Sequence, residues 1–119
     1  MRVFCINKKN IGNWGEKIAR TYLKNKGYLI LETNWRHHHK ELDIITYKDG
    51  LVCFEIKTRT SNTELPFTVL KVEQVSRLRS ALKAYCYLHY LKYTESRLDL
   101  IVITVKNQNT VLLKHYLDI

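Results

Sequence analysis

Proline is all but missing from this chain, one residue in 119, and glycine occurs only four times. So few breakers exclude a collagenous, linker-like or low-complexity protein and leave room for long regular elements. Cysteine is scarce as well. Cys5, Cys53 and Cys86 are widely separated and odd in number, so they build neither a disulfide framework nor a CxxC metal site. That favours a reducing, cytoplasmic setting. Long apolar runs are absent: nothing approaches the roughly eighteen residues of a membrane span. The opening MRVFCINKKN turns polar too soon for a signal peptide. Acidic residues are the remaining shortage, eleven Asp and Glu against twenty Lys and Arg, a net charge of +9. Such an excess favours a polyanionic partner, nucleic acid before membrane, and leaves the fold open.

What is present is enough for one folded domain over residues 1–119, since 45% of the residues are hydrophobic. Residues 13–27 (NWGEKIARTYLKNKG) read as a helix. Trp14, Ile18, Ala19, Tyr22 and Leu23 form its apolar stripe, and Asn13 with Glu16 has the spacing of a capping box. Gly27 is placed to end it, and Gly15 in the first turn marks a close backbone approach. Residues 28–34, 42–47, 51–57, 98–105 and 110–116 read as strands. A second helix is expected over about 72–90, with Val75, Leu78, Leu82, Tyr85 and Cys86 recurring at helical spacing. Residues 58–69 form a polar connection. Two amphipathic helices and an apolar central hairpin that share one core imply a mixed sheet with helices on its faces.

The turn at 48–50 (KDG) decides whether two carboxylates meet. A two-residue loop would set Asp43 opposite Ile56 and turn Asp43 and Glu55 to opposite faces. A three-residue loop, with Gly50 left-handed, pairs Tyr47 with Leu51 and Asp43 with Glu55. In that register Asp43, Glu55 and Lys57 share a face, with the two acids roughly 5 Å apart. Carboxylates that close inside apolar strands repel unless a proton or a cation lies between them. Oxygen donors of this kind suit Mg²⁺ or Mn²⁺, and Lys57 would add a cation beside a bound phosphate or water. The plainer reading of Glu55 and Lys57 is a weak surface ion pair. Against it, both acids interrupt otherwise apolar strands, LDII and VCFEI.

At these residues the chain resembles the PD-(D/E)xK nuclease superfamily, which carries an acid on one strand and (D/E)-x-K on the next; DII at 43–45 and FEIKTR at 54–59 look like that pair. More narrowly, GNWGEKIA at 12–19, LKNKGY at 23–28, NWR at 34–36 and ELDII at 41–45 resemble the YraN-type family of small bacterial proteins. Archaeal Holliday-junction resolvases share the broader pattern. The resemblance implies an α/β fold with a restriction-endonuclease-like core, a mixed sheet of about five strands flanked by helices. It also implies metal ligands at Asp43 and Glu55, a general-base or phosphate-binding role for Lys57, a helix-borne acid at Glu16 near the metal, and a polar contact at Gln74. Lys40 departs from the glycine usual before the acidic pair, and Glu73 from a lysine common on the second helix.

Three adjacent histidines, His37, His38 and His39, cannot converge on one ion in a regular element and lack a suitably spaced partner for zinc. The run from Arg36 to Lys40 reads as an exposed loop that contacts phosphates, with the histidines helping below about pH 6.5, or as plain solvated surface. Arg36 and Arg59 offer bidentate phosphate contacts. Glu41, toward the rim, is a second acidic contributor to the site or a salt-bridge partner. Tyr85, Tyr87, Tyr90 and Tyr93 suit core packing or a homodimer contact better than base stacking. Four of the six acids in residues 1–60, Glu16, Glu41, Asp43 and Glu55, thus gather in or beside one site on a basic chain. The expected protein is a Mg²⁺- or Mn²⁺-dependent endonuclease acting on DNA, in branched or unusual forms. The alternative is a nucleic-acid-binding protein that keeps the fold without cutting.

Overall fold

In the computed structural model, residues 8–60, 70–107 and 110–119 are described, with side chains from residue 13 onwards. Helix α1 (Lys8–Asn25) leads into strands β1 (Leu29–His37), β2 (Lys40–Tyr47) and β3 (Leu51–Arg59). Helix α2 (Val72–Leu88), a 3-10 turn at Tyr93–Glu95, β4 (Ser96–Asn107) and β5 (Thr110–Tyr116) follow. The expected order of helix, three strands, helix and two strands is the observed one. The strands lie side by side in chain order, antiparallel everywhere except between β3 and β4. Parallel neighbours cannot be joined by a hairpin, and the crossover between them carries α2. This is a mixed five-stranded sheet with two helices, an α/β fold consistent with a restriction-endonuclease-like core.

Strand alternation sorts the core into two layers. Ile44, Val52, Phe54, Ile101 and Ile103 bury on one face under Ala19 and Leu23 of α1. Ile45, Leu51, Cys53, Leu98 and Leu100 bury on the other under Leu78, Ala81, Leu82, Tyr85 and Cys86 of α2. β3 and β4 are therefore covered on both sides, which is why their sequences are nearly continuous apolar runs. Cys53 and Cys86 are free thiols inside the second layer, and burial pushes both up, Cys53 well above the usual thiol range. Cys5 lies outside the described residues, as does 61–69 of the polar connection.

Three local expectations need correction. α1 begins at Lys8, so Asn13 and Glu16 lie inside the helix and do not form an N-terminal capping box. Its other end follows the expectation. Gly27, at φ 89°, completes a Schellman motif in which Tyr28 N–H donates to Leu23 O at 2.9 Å and Gly27 N–H to Lys24 O at 3.1 Å. Second, residues 36–40 are not an open loop: β1 continues through His37, β2 starts at Lys40, and His38–His39 is a tight turn with His38 at φ 56°. Third, α2 stops at Leu88 rather than at residue 90, with Tyr90 in the left-handed region at φ 57°.

Candidate functional site

The β2–β3 ladder pairs Tyr47 with Leu51 and runs up to Ile44 with Phe54. This is the register of the three-residue turn, although Asp49 (φ 55°) takes the left-handed position and Gly50 lies at φ 136°. One step further along the register sets Asp43 across from Glu55. There the backbone ladder gives way to a side chain: Ile56 N–H donates to Asp43 Oδ2 at 2.9 Å. Regular alternation also fails at this point. Leu42 packs on the α2 side with Ile45, whereas Ile44 packs on the α1 side. Asn34, which falls opposite Asp43 between the pairs Thr33–Ile44 and Trp35–Leu42, has φ 52°.

The local irregularity brings acids together from different elements. Glu55 is hydrogen-bonded to Asp43, and its side chain is only 13% exposed. Burial first, then the hydrogen bond and charge of Asp43, push the Glu55 carboxyl up to about 8, against the opposing pull of Lys57. Lys57 Nζ lies 3.2 Å from Glu55 Oε2. Glu16 approaches from α1. Burial and the Asp43 charge raise its pKa, while Arg20 and a hydrogen bond from Asn34 offset part of that. The Glu55 carboxyl therefore keeps its proton well above the usual carboxylate range, even with Lys57 beside it.

A cleft of about 410 Å³ opens over this pair, lined by Asp43, Glu55, His39, Lys40, Glu41, Gln74, Arg77, Leu78 and Ser80. Gln74 reaches it from the first turn of α2, where its Oε1 accepts the Lys71 backbone N–H at 3.0 Å. Lys40 Nζ donates to Ser80 Oγ across the cleft mouth at 2.9 Å. Glu41 is on the exposed rim, 3.3 Å from Arg36, the geometry of the salt-bridge alternative. His37 stacks on Trp35 with ring centroids 6.0 Å apart, and the exposed His38 packs edge-on against His37 at 4.3 Å. Lys57, Glu16 and Arg59 do not line the cleft. Lys57 joins it through Glu55, Glu16 stands behind Asp43, and Arg59 ends β3 with Nη1 donating to Thr58 O at 3.1 Å. The tyrosines at the end of α2 divide: Tyr85 is core, while Tyr87 and Tyr90 face solvent.

The donor set fits a hard divalent cation. It consists of two adjacent carboxylates, of which Glu55 holds its proton above the usual range. Mg²⁺ is commonly held by one or two carboxylates, with water and phosphate oxygens making up the rest. Among the described residues no three His, Cys, Asp or Glu side chains form a cage that could hold a metal by themselves. Sequence reasoning missed Asn34 and Arg77. Asn34 stands in a quoted motif but carries no charge. Arg77 follows Gln74 by three residues, the spacing that shares a helix face.

These features define an α/β protein with a restriction-endonuclease-like sheet and a small acidic cleft where β2 and β3 part. The chain belongs to Uncharacterised protein family UPF0102, whose model matches residues 15–103, and this is the YraN-type family. It is 36% identical over 111 residues to UPF0102 protein TTE1452 of Caldanaerobacter subterraneus subsp. tengcongensis, covering 92% of this chain and 91% of that one. It is 35% identical over 116 residues to a UPF0102 protein of Parabacteroides distasonis, covering 93% and 92%. A solved structure, the crystal structure of SSO0001, covers 95% of this chain and 53% of that one at 17% identity and a TM-score of 0.47. No helix among the described residues is long and apolar enough to cross a membrane.

Proposed function

We propose that this chain is a divalent-metal-dependent endonuclease that hydrolyses phosphodiester bonds in DNA, with branched or otherwise unusual structures as substrates. One observation carries the reading: the half-buried Asp43–Glu55 pair, with Lys57 at 3.2 Å from Glu55, at the floor of a cleft with basic groups on its rim. Asp43 and Glu55 would hold Mg²⁺ or Mn²⁺, which supplies a Lewis acid for the phosphoryl oxygen and lowers the pKa of bound water. The Ile56 N–H holds the Asp43 carboxylate in place. Lys57 orients the attacking water or neutralises charge that builds on the phosphate. Glu16 holds negative potential behind Asp43. Arg36, His37, His38, His39, Lys40 and Arg59 are the proposed backbone contacts.

The test is Mn²⁺-dependent cleavage of a panel of branched, flapped and linear DNAs. Cleavage by the wild-type chain that disappears in Asp43→Ala and Glu55→Ala supports the reading. Full activity in both variants removes it. A second reading, a nucleic-acid-binding protein without cutting, draws on the lack of a third cage ligand among the described residues. It predicts salt-sensitive binding with no cleavage in any divalent metal.

A further inference from the structure

Arg77 carries no role read from the sequence, yet it lines the cleft over the acidic pair. α2 turns residues 74, 77 and 78 onto one face, and all three line the cleft above Asp43 and Glu55. Leu78 anchors that face in the core, and Arg77 remains exposed. The other basic groups nearby already face carboxylates: Lys57 lies at 3.2 Å from Glu55, and Arg36 at 3.3 Å from Glu41. Arg77 makes no ion pair among the described residues. Lys40, on the opposite wall, holds only the neutral hydroxyl of Ser80. The Ser80 hydroxyl brings no negative charge to the Lys40 ammonium, so an anionic phosphate oxygen can replace it. Two cations thus border one cleft, Lys40 rooted in β2 and reaching over to Ser80 of α2, and Arg77 rooted in α2, beside an acidic floor that would repel a polyanion.

We propose that Arg77 and Lys40 form a two-sided clamp for the phosphate next to the one being cut, so that a nucleic-acid strand lies along the cleft between β2 and α2. The guanidinium fork of Arg77 spans the two non-bridging oxygens of the phosphodiester, and Lys40 exchanges Ser80 for one of the same two. The clamp rests on the nuclease reading and adds the residues that seat the strand against repulsion from Asp43 and Glu55. It also gives the lysine at position 40 a function in this chain: a side chain there reaches the opposite wall.

The experiment is fluorescence anisotropy of a labelled four-way DNA junction in EDTA, titrated with salt, for wild type, Arg77→Ala, Arg77→Lys, Lys40→Ala and Ser80→Ala. Arg77→Ala and Lys40→Ala should each bind about tenfold more weakly, with the slope of log affinity against log salt reduced by about one. Arg77→Lys should keep the wild-type slope, because the charge remains. Ser80→Ala should bind no more weakly than wild type. Melting curves identify any variant that has unfolded, in which case Arg77→Glu and Lys40→Glu, read for a further loss of slope, decide. Wild-type binding with unchanged slopes in Arg77→Ala and Lys40→Ala overturns the clamp alone. No wild-type binding at low salt overturns the clamp together with the nucleic-acid reading.

Discussion

Gly15 of α1 lies directly against Thr58 of β3: a Cβ built on the glycine would overlap the Thr58 hydroxyl and stand 3.1 Å from the Thr58 Cβ. Rotation of the threonine can move its hydroxyl but not its Cβ, so the helix can rest this close to the strand only without a side chain at 15. The next residue is Glu16, whose approach to Asp43 depends on that closeness. Gly15→Ala should therefore destabilise by roughly 1–3 kcal/mol, as overpacking does, although alanine is the better helix former. Urea denaturation reads the loss. A variant as stable as wild type would show that the approach is not needed.

On the α1 side of the sheet, Asp99 is fully buried and carries four hydrogen bonds. Arg97 grips it with Nε and Nη2 at 2.7 and 2.8 Å, His115 Nε2 lies at 2.8 Å, and the Asp118 N–H donates at 2.9 Å. His115 Nδ1 in turn meets the Tyr22 hydroxyl at 2.9 Å, so the cluster ties β5 and the C-terminal residues to α1. Burial alone would raise the Asp99 carboxyl, but Arg97, the Asp118 N–H and His115 outweigh it and hold it below the usual 3.8. A lowered carboxyl stabilises the fold above the unfolded value, and that stability is lost as pH falls through the folded value. Arg97→Met should cost about 3–5 kcal/mol, because it leaves a buried carboxylate short of its main partner. Thermal melts at pH 7 and pH 3 check both points: the gap between variant and wild type should narrow on acidification.

Much of this architecture was legible because apolar spacing reports burial. Val75, Leu78, Leu82, Tyr85 and Cys86 located α2, and the two-sided runs of β3 and β4 fixed the centre of the sheet. The Asp43–Glu55 register was legible as one of two options, since turn length is coded locally by Lys48, Asp49 and Gly50. The break in alternation at Asp43 was not legible. It depends on Asn34 adopting φ 52° in a neighbouring strand and on Glu16 from a helix, contacts that no single segment encodes. The tight turn at His38–His39 was hidden for a similar reason. Pairing of His37 with Lys40 is set by sheet register, and three histidines carry no turn signal of their own.

The altered start of α1 gives a sign test at Asn13. A capping asparagine replaced by alanine costs about 1 kcal/mol, whereas an exposed asparagine in a helix interior replaced by alanine gains roughly 0.5 kcal/mol. Asn13 is exposed and sits six residues' worth of sequence into α1 when Lys8 is counted as the first. Asn13→Ala should therefore raise the unfolding free energy slightly. A drop near 1 kcal/mol in chemical denaturation would return the helix start to residue 13.

Glu55 supplies the opposite pH signature from Asp99. Its carboxyl is pushed up to about 8 from the usual 4.5, so between those values the folded chain holds a proton that the unfolded chain releases. Stability without metal must then fall as pH rises through that window, by at most about 1.4 kcal/mol per pH unit from this one group. Denaturation in EDTA should show a more stable protein at pH 5 than at pH 8, and Glu55→Gln should flatten the difference. A divalent cation competes with that proton, so Mn²⁺ should raise the melting temperature more at pH 8 than at pH 5. In Glu55→Gln and Asp43→Asn that Mn²⁺ effect should vanish. Equal slopes in wild type and Glu55→Gln would assign the pH dependence to another group. A Mn²⁺ effect that survives both substitutions would place the cation elsewhere on the chain. The two arms separate cleanly, because the first is read without metal and the second only with it.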